Sequence, residues 1–409
     1  SIFTGPAASL VGAAYLSDEP SCVVIDVGGT STDVSLTVNG LPQISDVGAI
    51  VGGWQTKVEA IKMETSAMGG DSHVWVMNHV ISIGPRRVVP LSVAATKYPR
   101  IIKKLKQGQS ISRLKLGENI QPTKFFIRTE QKPIELTQRE EELLNRIGDE
   151  PLTVSEIYWD KNIMPSPMLL DSLIQKRLIQ AIGFTPTDAL HVLGDYDEWS
   201  TEAAILGAEQ LCIFADMEVK ELCTLVKEKV AKNMVLNLLS YLMETVDAKE
   251  IEKGLDGDFL AGFKVDVPVV LLGGPVRAYT EEIKKFVNAK ILLPEYAEVG
   301  NAVGALAGKG VKRIELLIRA TFGESKYNLK PTSITVFAPD GKHEMNNYEE
   351  AIEFAEELGH KLVMDYMKDA ELDDGNISIE MTKKVINPLN TGVPLETRYA
   401  FMGIAELNK

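Results

Sequence analysis

Near its start the chain gathers two glycines, three hydroxyl side chains and two carboxylates in one run, Asp26-Val27-Gly28-Gly29-Thr30-Ser31-Thr32-Asp33. Adjacent glycines let backbone N–H groups approach a phosphate closely, and the hydroxyls of Thr30, Ser31 and Thr32 add donors. A carboxylate at either end, Asp26 or Asp33, can hold Mg2+ directly or through water. A decorative hairpin turn needs no such combination, so the run reads as a phosphate loop. It is not a Walker A loop, because no GxxxxGK[ST] occurs. A second glycine pair, Gly273-Gly274 before Pro275, closes the apolar run Val267 to Leu272. Strand-to-helix turns often carry glycine for steric reasons alone. Two such turns, each ending a buried strand, together point to a nucleotide cleft.

Other residues of catalytic type argue less. His73 and His79 on one strand would share a face but stand about 20 Å apart, too far for a common metal. His191 follows Asp188 by three residues, so on a helix both would face one site. A helix-surface hydrogen bond is the plainer reading of that pair. His343 and His360 have no supporting cluster. Cys22, Cys212 and Cys223 form no CxxC, Cys22 falls inside a buried strand, and no GxSxG elbow is present. Nothing argues for a covalent protein nucleophile.

Periodicity gives the elements that must position these groups. Gly5-Pro6 opens a short helix of small residues. Cys22 to Asp26 is a buried strand, Val34 to Val38 alternates with period two, and Asn39-Gly40 marks a hairpin turn. A third strand is expected from Gln43 to Val47, a helix or strand pair from Gln55 to Met63, and one strand from Val74 to Ile83. Between Ala94 and Lys132 ten Lys/Arg stand against two Glu. That stretch reads as a solvated helix and an exposed strand from Lys124 to Arg128, or as a docking surface for an acidic partner or phosphates. Thr137 and Glu140 form a capping box. With helices at Thr153 to Ile157 and Met168 to Ile179 they suggest a winged-helix-like insertion over residues 91–183. Long helices are expected at Glu202 to Gln210 and Met217 to Val246. The strand ending at Leu272 is followed by a helix through Phe286, a strand at Ile291 to Leu293 and a Gly/Ala helix from Glu298 to Leu306. That order is α/β, with ligands expected at strand ends. After Gly310 it changes to α+β: strands near Arg313 to Ala320, Ser333 to Phe337, Ile377 to Val385 and Leu395 to Ile404, around a helix from Tyr348 to Met367.

A length of 409 residues suggests two or three domains, and 45% apolar with 24% charged residues excludes wholesale disorder. Lys+Arg number 43 against 57 Asp+Glu, for a net charge of -14, which makes a poor nucleic-acid binder. No apolar run approaches the roughly 20 residues that span a bilayer, so no membrane partner is expected. The unpaired cysteines read as a reduced, cytoplasmic protein. Opening on Ser1 and running straight into Thr4-Gly5-Pro6, the chain reads as a segment of a longer polypeptide.

Five blocks in order carry a resemblance: Thr4-Gly5-Pro6-Ala7-Ala8, IDVGGTSTDVSL (Ile25 to Leu36), Gly69-Gly70-Asp71-Ser72, FTPTDALHVLG (Phe184 to Gly194) and LLGGPVRAY (Leu271 to Tyr279). Together they resemble the hydantoinase/oxoprolinase A family. The resemblance implies the actin/hexokinase/Hsp70-like ATPase fold, with ribonuclease-H-like lobes around Mg-ATP. Residues 1-90 and 184-310 would form one lobe, 91-183 the insertion and 311-409 a C-terminal α+β domain. Asp26 and Asp33 would lie near Mg2+ or the attacking water, with Asp26 as the metal ligand. Gly28, Gly29, Thr30, Ser31, Thr32, Gly69 and Gly70 would hold phosphates, and Gly273 and Gly274 the adenosine side. Thr187 and Asp188 would match a Thr-Asp pair near the cleft, with Asp188 catalytic. Two positions depart from the pattern: Asp71 stands where a third glycine is usual, and Arg277 where a histidine often follows Gly-Pro. A second Asp-x-Gly-Gly-Thr loop, expected in an N-terminal lobe, does not occur in these residues.

The implied reaction is ATP-driven opening of a small cyclic amide such as a hydantoin or 5-oxoproline, with the missing lobe supplied in cis or by a partner subunit. A homo-oligomer is compatible with this. Two alternatives stand beside it: an ATP-coupled carboxylase subunit, and a nucleotide-binding regulatory or reactivating ATPase that moves a partner.

Overall fold

A computed structural model describes residues 5–45, 50–51, 54–55, 61–109, 111–133, 135–158, 167–257, 262–307, 310–322, 330–370, 377–387 and 392–405. The chain divides into two compact units, Ala13–Gly300 and Ser1–Gly12 with Asn301–Lys409.

The larger unit is built on a mixed sheet whose strands run in the order Val287–Leu292, Phe263–Leu272, Cys22–Val27, Thr32–Val38 and Leu41–Pro42. Met63–Ser66 also pairs with Thr32–Val38. Cys22–Val27 is central, parallel to Phe263–Leu272 and antiparallel to Thr32–Val38. Its residues Cys22 to Ile25 are all buried, as are Val269 to Leu272. A strand covered on both faces reads as a continuous apolar run, which is why both were legible. The long helix Val219–Leu242 lies against this sheet. Asn233 and Asn237 on it donate to Ser66 Oγ at 2.8 and 2.6 Å, and Tyr241 donates to Gln43 Oε1 at 2.8 Å.

Several local expectations are corrected. Val74 to Ile83 is a hairpin, Ser72–Met77 and Val80–Arg87, turning at Asn78 and His79 with φ of +51° and +62°. Asn tolerates this left-handed region and His is enriched there, so the turn needs no glycine. The strand after Asn39-Gly40 falls at Leu41–Pro42, earlier than expected. Asp46 and Val47, and most of the Gln55 to Met63 stretch, lie outside the described residues. Phe125–Arg128 is an inner strand of the sheet ordered Leu152–Thr153, Phe125–Arg128, Ile179–Gly183, Val89–Pro90. The exposure expected for it is wrong: Phe125, Phe126 and Lys124 are buried. Lys124 reaches the Glu118 carbonyl at 2.9 Å and Asn119 Oδ1 at 3.1 Å, and burial lowers its ammonium to about 7. An alternation rule sees a charged residue and predicts solvent; a long side chain with two acceptors inside escapes it.

On the same sheet sit the helices Gln138–Arg146, Val154–Tyr158 and Pro167–Gln175, which enclose Leu143, Leu144, Ile157, Leu170 and Leu173 in a core of their own. The capping box is formed as expected: Glu140 N–H donates to Thr137 Oγ1 and Thr137 N–H to Glu140 Oε2.

In the smaller unit an antiparallel sheet has the order Gly341–Met345, Pro331–Ala338, Val311–Phe322, Glu396–Ala405, Ile377–Ile386. The helix Tyr348–Asp369 packs across it, and Gly359 and Gly403 allow the contact. A Cβ on Gly359 would overlap the Phe401 ring, and one on Gly403 would overlap Val363. Gly304 lies similarly close to the backbone of Ala8, which brings the first residues into this unit.

Candidate active site

The site begins where Cys22–Val27 hands over to Thr32–Val38. Gly28 N–H donates to the Ser31 carbonyl at 2.9 Å and closes the turn. Asp26 and Asp33 are direct partners in the antiparallel register, and partners across such a pair share one face of the sheet. Two half-buried carboxylates therefore stand side by side at the carboxyl end of a central strand. Ser31 Oγ donates to Asp33 Oδ2 at 3.2 Å. Thr32 is buried and its hydroxyl donates to the Met68 carbonyl at 2.7 Å, so it braces the loop instead of facing outward. Thr30 is exposed. Among the described residues, the N–H groups of Gly29 and Thr30 find no acceptor.

A second turn, Gly69 to Ser72, lies directly on the first. Gly70 N–H donates to the Gly28 carbonyl at 3.0 Å and Asp71 N–H to the Gly29 carbonyl at 2.8 Å. Backbone meets backbone here, and any Cβ on Gly69 would overlap Gly28 and Gly29. Gly70 in turn receives Thr187, whose N–H and hydroxyl both donate to its carbonyl, at 3.1 and 2.8 Å. The departure at Asp71 has a partner: Arg87 donates to its Oδ2 from Nε at 3.1 Å and from Nη2 at 2.8 Å. A Cβ on Gly29 would sit 2.9 Å from the Asp71 carboxyl carbon, so glycine there makes room for this ion pair. Sequence reasoning missed Arg87. Its one available signal was the strand ending Arg86-Arg87, hidden while the hairpin was read as one strand.

Gly273 supplies the third turn. It has φ +124°, a region closed to residues with a Cβ, and its backbone lies against the Val27 carbonyl. Its N–H donates to the Ala297 carbonyl at 3.0 Å. Because Phe263–Leu272 runs parallel to Cys22–Val27, with Leu272 the register partner of Asp26, the glycine turns gather at the carboxyl ends of these inner strands. Gly274 is exposed there. The structure thus brings Asp26, Gly28, Gly29, Thr30, Asp33, Gly69, Gly70, Gly273 and Gly274 together.

Asp188 stands behind these turns. It is fully buried and accepts from Leu91 N–H at 3.1 Å, Ser92 N–H at 2.8 Å, and Thr185 N–H and Oγ1 at 2.9 and 3.0 Å. Burial raises its carboxyl above the ordinary value, with the hydrogen bonds opposing. Its N–H returns the bond to Thr185, capping the helix Pro186–Leu193 that carries Thr187. Asp188 and His191 do not converge. His191 donates from Nδ1 to the Thr187 carbonyl at 2.8 Å and accepts the Trp199 N–H on Nε2 at 3.2 Å, so both ring nitrogens are engaged. His73 is buried, and His79 sits in the hairpin turn. Among the described residues no group of three or more His, Cys, Asp or Glu side chains could hold a metal. Nor is any helix long and apolar enough to cross a membrane.

A sequence profile described as hydantoinase/oxoprolinase matches residues 1–313. Nothing among the curated proteins matches. Among solved structures the chain is similar to nucleotide-free acetone carboxylase, with 13% identity and a TM-score of 0.51 over 98% of this chain and 49% of that one. The ATP-dependent caprolactamase of Pseudomonas jessenii shows 14% identity and a TM-score of 0.45, over 99% and 50% of the two chains. At such identity the first likeness is one of fold, and the chain spans about half the length of either. The profile covers most of the chain, including every glycine turn of the site: the chain belongs to the hydantoinase/oxoprolinase family.

Proposed function

We propose that this chain carries the phosphate-binding lobe of an ATP-dependent enzyme that opens a small cyclic amide of the hydantoin or 5-oxoproline type. The reading rests on one observation above all. Glycine turns from three parts of the chain meet at the carboxyl ends of inner strands, beside the register pair Asp26 and Asp33. The N–H groups of Gly29 and Thr30, which find no acceptor among the described residues, and the Thr30 hydroxyl suit phosphate oxygens. The carboxylate pair suits Mg2+, which keeps most of its waters and needs only one or two protein ligands beside the phosphates. When bound there it supplies charge neutralisation.

An amide carbonyl is a poor electrophile. Its oxygen attacks the γ-phosphorus, ADP departs, and the carbon that bears the phosphorylated oxygen becomes open to water. Water adds, the ring C–N bond breaks with the nitrogen leaving protonated, and a second water releases phosphate from the acyl group. One ATP and two waters thus give ADP, phosphate and the ring-opened carboxylate. In this scheme the turns position phosphates and stabilise charge, Asp26 takes the metal side and Asp33 orients water. We assign Asp188 a positioning role, because its donors belong to Leu91, Ser92 and Thr185, beneath the loops.

ATP-coupled carboxylation is the second reading. It accommodates the exposed Arg277, which stands where the resemblance has histidine. Phosphate release from ATP by the protein at full length, with and without hydantoins, 5-oxoproline and bicarbonate, separates the two. Stimulation by a cyclic amide supports the first, and dependence on bicarbonate the second. Turnover indifferent to all of them rejects both in favour of a nucleotide-driven regulator.

A further inference from the structure

The segment between the helices Pro186–Leu193 and Thr201–Ala215 carries no motif, yet it brings Tyr196 to the exposed Gly274 turn, with Trp199 packed against Tyr196. The Tyr196 hydroxyl lies 3.9 Å from where a Cβ of Gly274 would be. Tyr196 and Trp199 meet edge to face with centroids 5.5 Å apart, and both rest on His191, at 5.2 and 5.8 Å. Trp199 nevertheless remains 37% exposed. The loop after Leu292 adds Tyr296, 56% exposed and held at φ +64°, one residue before the Ala297 carbonyl that receives Gly273 N–H. A tyrosine in the left-handed region is strained, and such strain collects at functional sites.

This surface is fixed in place. Gly194 ends the preceding helix at φ +76°, Lys227 holds Asp195 at 2.9 Å and Glu282 at 3.2 Å, and Ser200 N–H donates to the Ser92 carbonyl at 3.3 Å. Its charge also selects which end of a nucleotide it can face. Burial, helped by the neighbouring carboxylates of Glu198, Glu298 and Asp197, raises the Tyr196 phenol to about 12. A triphosphate is repelled there, whereas a neutral ring is not. The phosphates belong at Gly28 to Thr30, and the neighbouring parallel strand ends in Gly273-Gly274.

We propose that Trp199 supplies the stacking face, with Tyr196 set against its edge and Tyr296 at the rim, for the base of a purine nucleotide whose phosphates occupy the glycine turns. The assignment rests on the nucleotide reading above and adds the recognition of its base. Aromatic–base stacking typically changes affinity about tenfold per ring lost.

The test is calorimetric titration of the protein at full length with ADP and, separately, with inorganic tripolyphosphate, for wild type, Trp199→Ala, Tyr196→Ala and Tyr196→Phe. The expected result is about tenfold weaker ADP binding for Trp199→Ala, a smaller loss for Tyr196→Ala, near-wild-type binding for Tyr196→Phe, and unchanged tripolyphosphate affinity throughout. Unchanged ADP affinity in both alanine variants overturns the proposal. Equal losses for ADP and tripolyphosphate overturn it too, since the rings would then be supporting the fold. A wild type that binds tripolyphosphate no better than a Gly28→Val variant overturns the phosphate-loop reading itself.

Discussion

Asp26 and Asp33 show how much a strand register decides at the scale of a residue. Seven positions apart in sequence, they become lateral neighbours because the turn between them is tight enough to place them opposite each other. Replacing Asp26 by Ala is expected to lower ATP turnover by a factor of about 10² or more while leaving the melting temperature nearly unchanged, because the residue is half-buried and at a strand end. Retained turnover would remove Asp26 from the proposed metal side. Gly69→Ala should behave in the opposite way. The added methyl overlaps the backbone of Gly28 and Gly29, which cannot swing aside as a flexible side chain would. A stability loss of about 1–3 kcal/mol is expected, together with weaker tripolyphosphate binding. A variant with wild-type melting and wild-type binding would show that the two turns are not locked together.

At the scale of elements, the helices Gln138–Arg146 and Pro167–Gln175 hold each other through polar links. Glu140 caps its own helix at Thr137 and also receives Ser172 at 2.5 Å and Lys176 at 2.8 Å from the Pro167–Gln175 segment and its end. The Lys176 ammonium, helped by Ser172 and Thr137, lowers its carboxyl to about 2. The folded value is below the ordinary value of about 4.3, so the stabilisation is fully present above that pH and fades as the pH falls toward 2. Glu140→Gln should therefore be less stable than wild type at pH 7, with the gap closing between about pH 4 and pH 2. Denaturant titrations across that range would read it. A gap independent of pH would mean that the ion pair contributes nothing beyond the neutral hydrogen bonds.

For the whole molecule, separate cores imply separate responses. Ile318, Val336, Val363, Met367, Tyr399 and Phe401 belong to the core of the smaller unit, whereas Val74, Leu91, Phe125, Phe184 and Val226 belong to one within the larger. Gly359→Val drives a branched side chain into the Phe401 ring. It is expected to cost the smaller unit about 3 kcal/mol. Calorimetry should show one transition shifted downward while tripolyphosphate binding by the larger unit is kept. A single transition that shifts as a whole, with binding lost, would show the two units to unfold as one.

What was legible beforehand follows from the range of the interactions involved. Cys22–Val27 and Phe263–Leu272 announced themselves by unbroken apolar runs, Thr137 and Glu140 by capping-box spacing, and the turn between Asp26 and Asp33 by its paired glycines. Family membership likewise followed from five blocks in order. Each of these is local, settled by groups a few residues apart. Asp188 looked like chemistry and proved to be a buried acceptor for three backbone N–H groups, two of them nearly a hundred positions away. Lys124 looked solvated and proved buried. Arg87 stayed hidden because the hairpin reads as one strand, and Tyr196 gave no sign at all. Tertiary structure alone decided that Gly69 would lie on Gly28, Thr187 on Gly70, and Gly273 on Val27. Such contacts join backbone to backbone over dozens to hundreds of residues, and local periodicity carries no term for a partner that arrives only when the sheet closes.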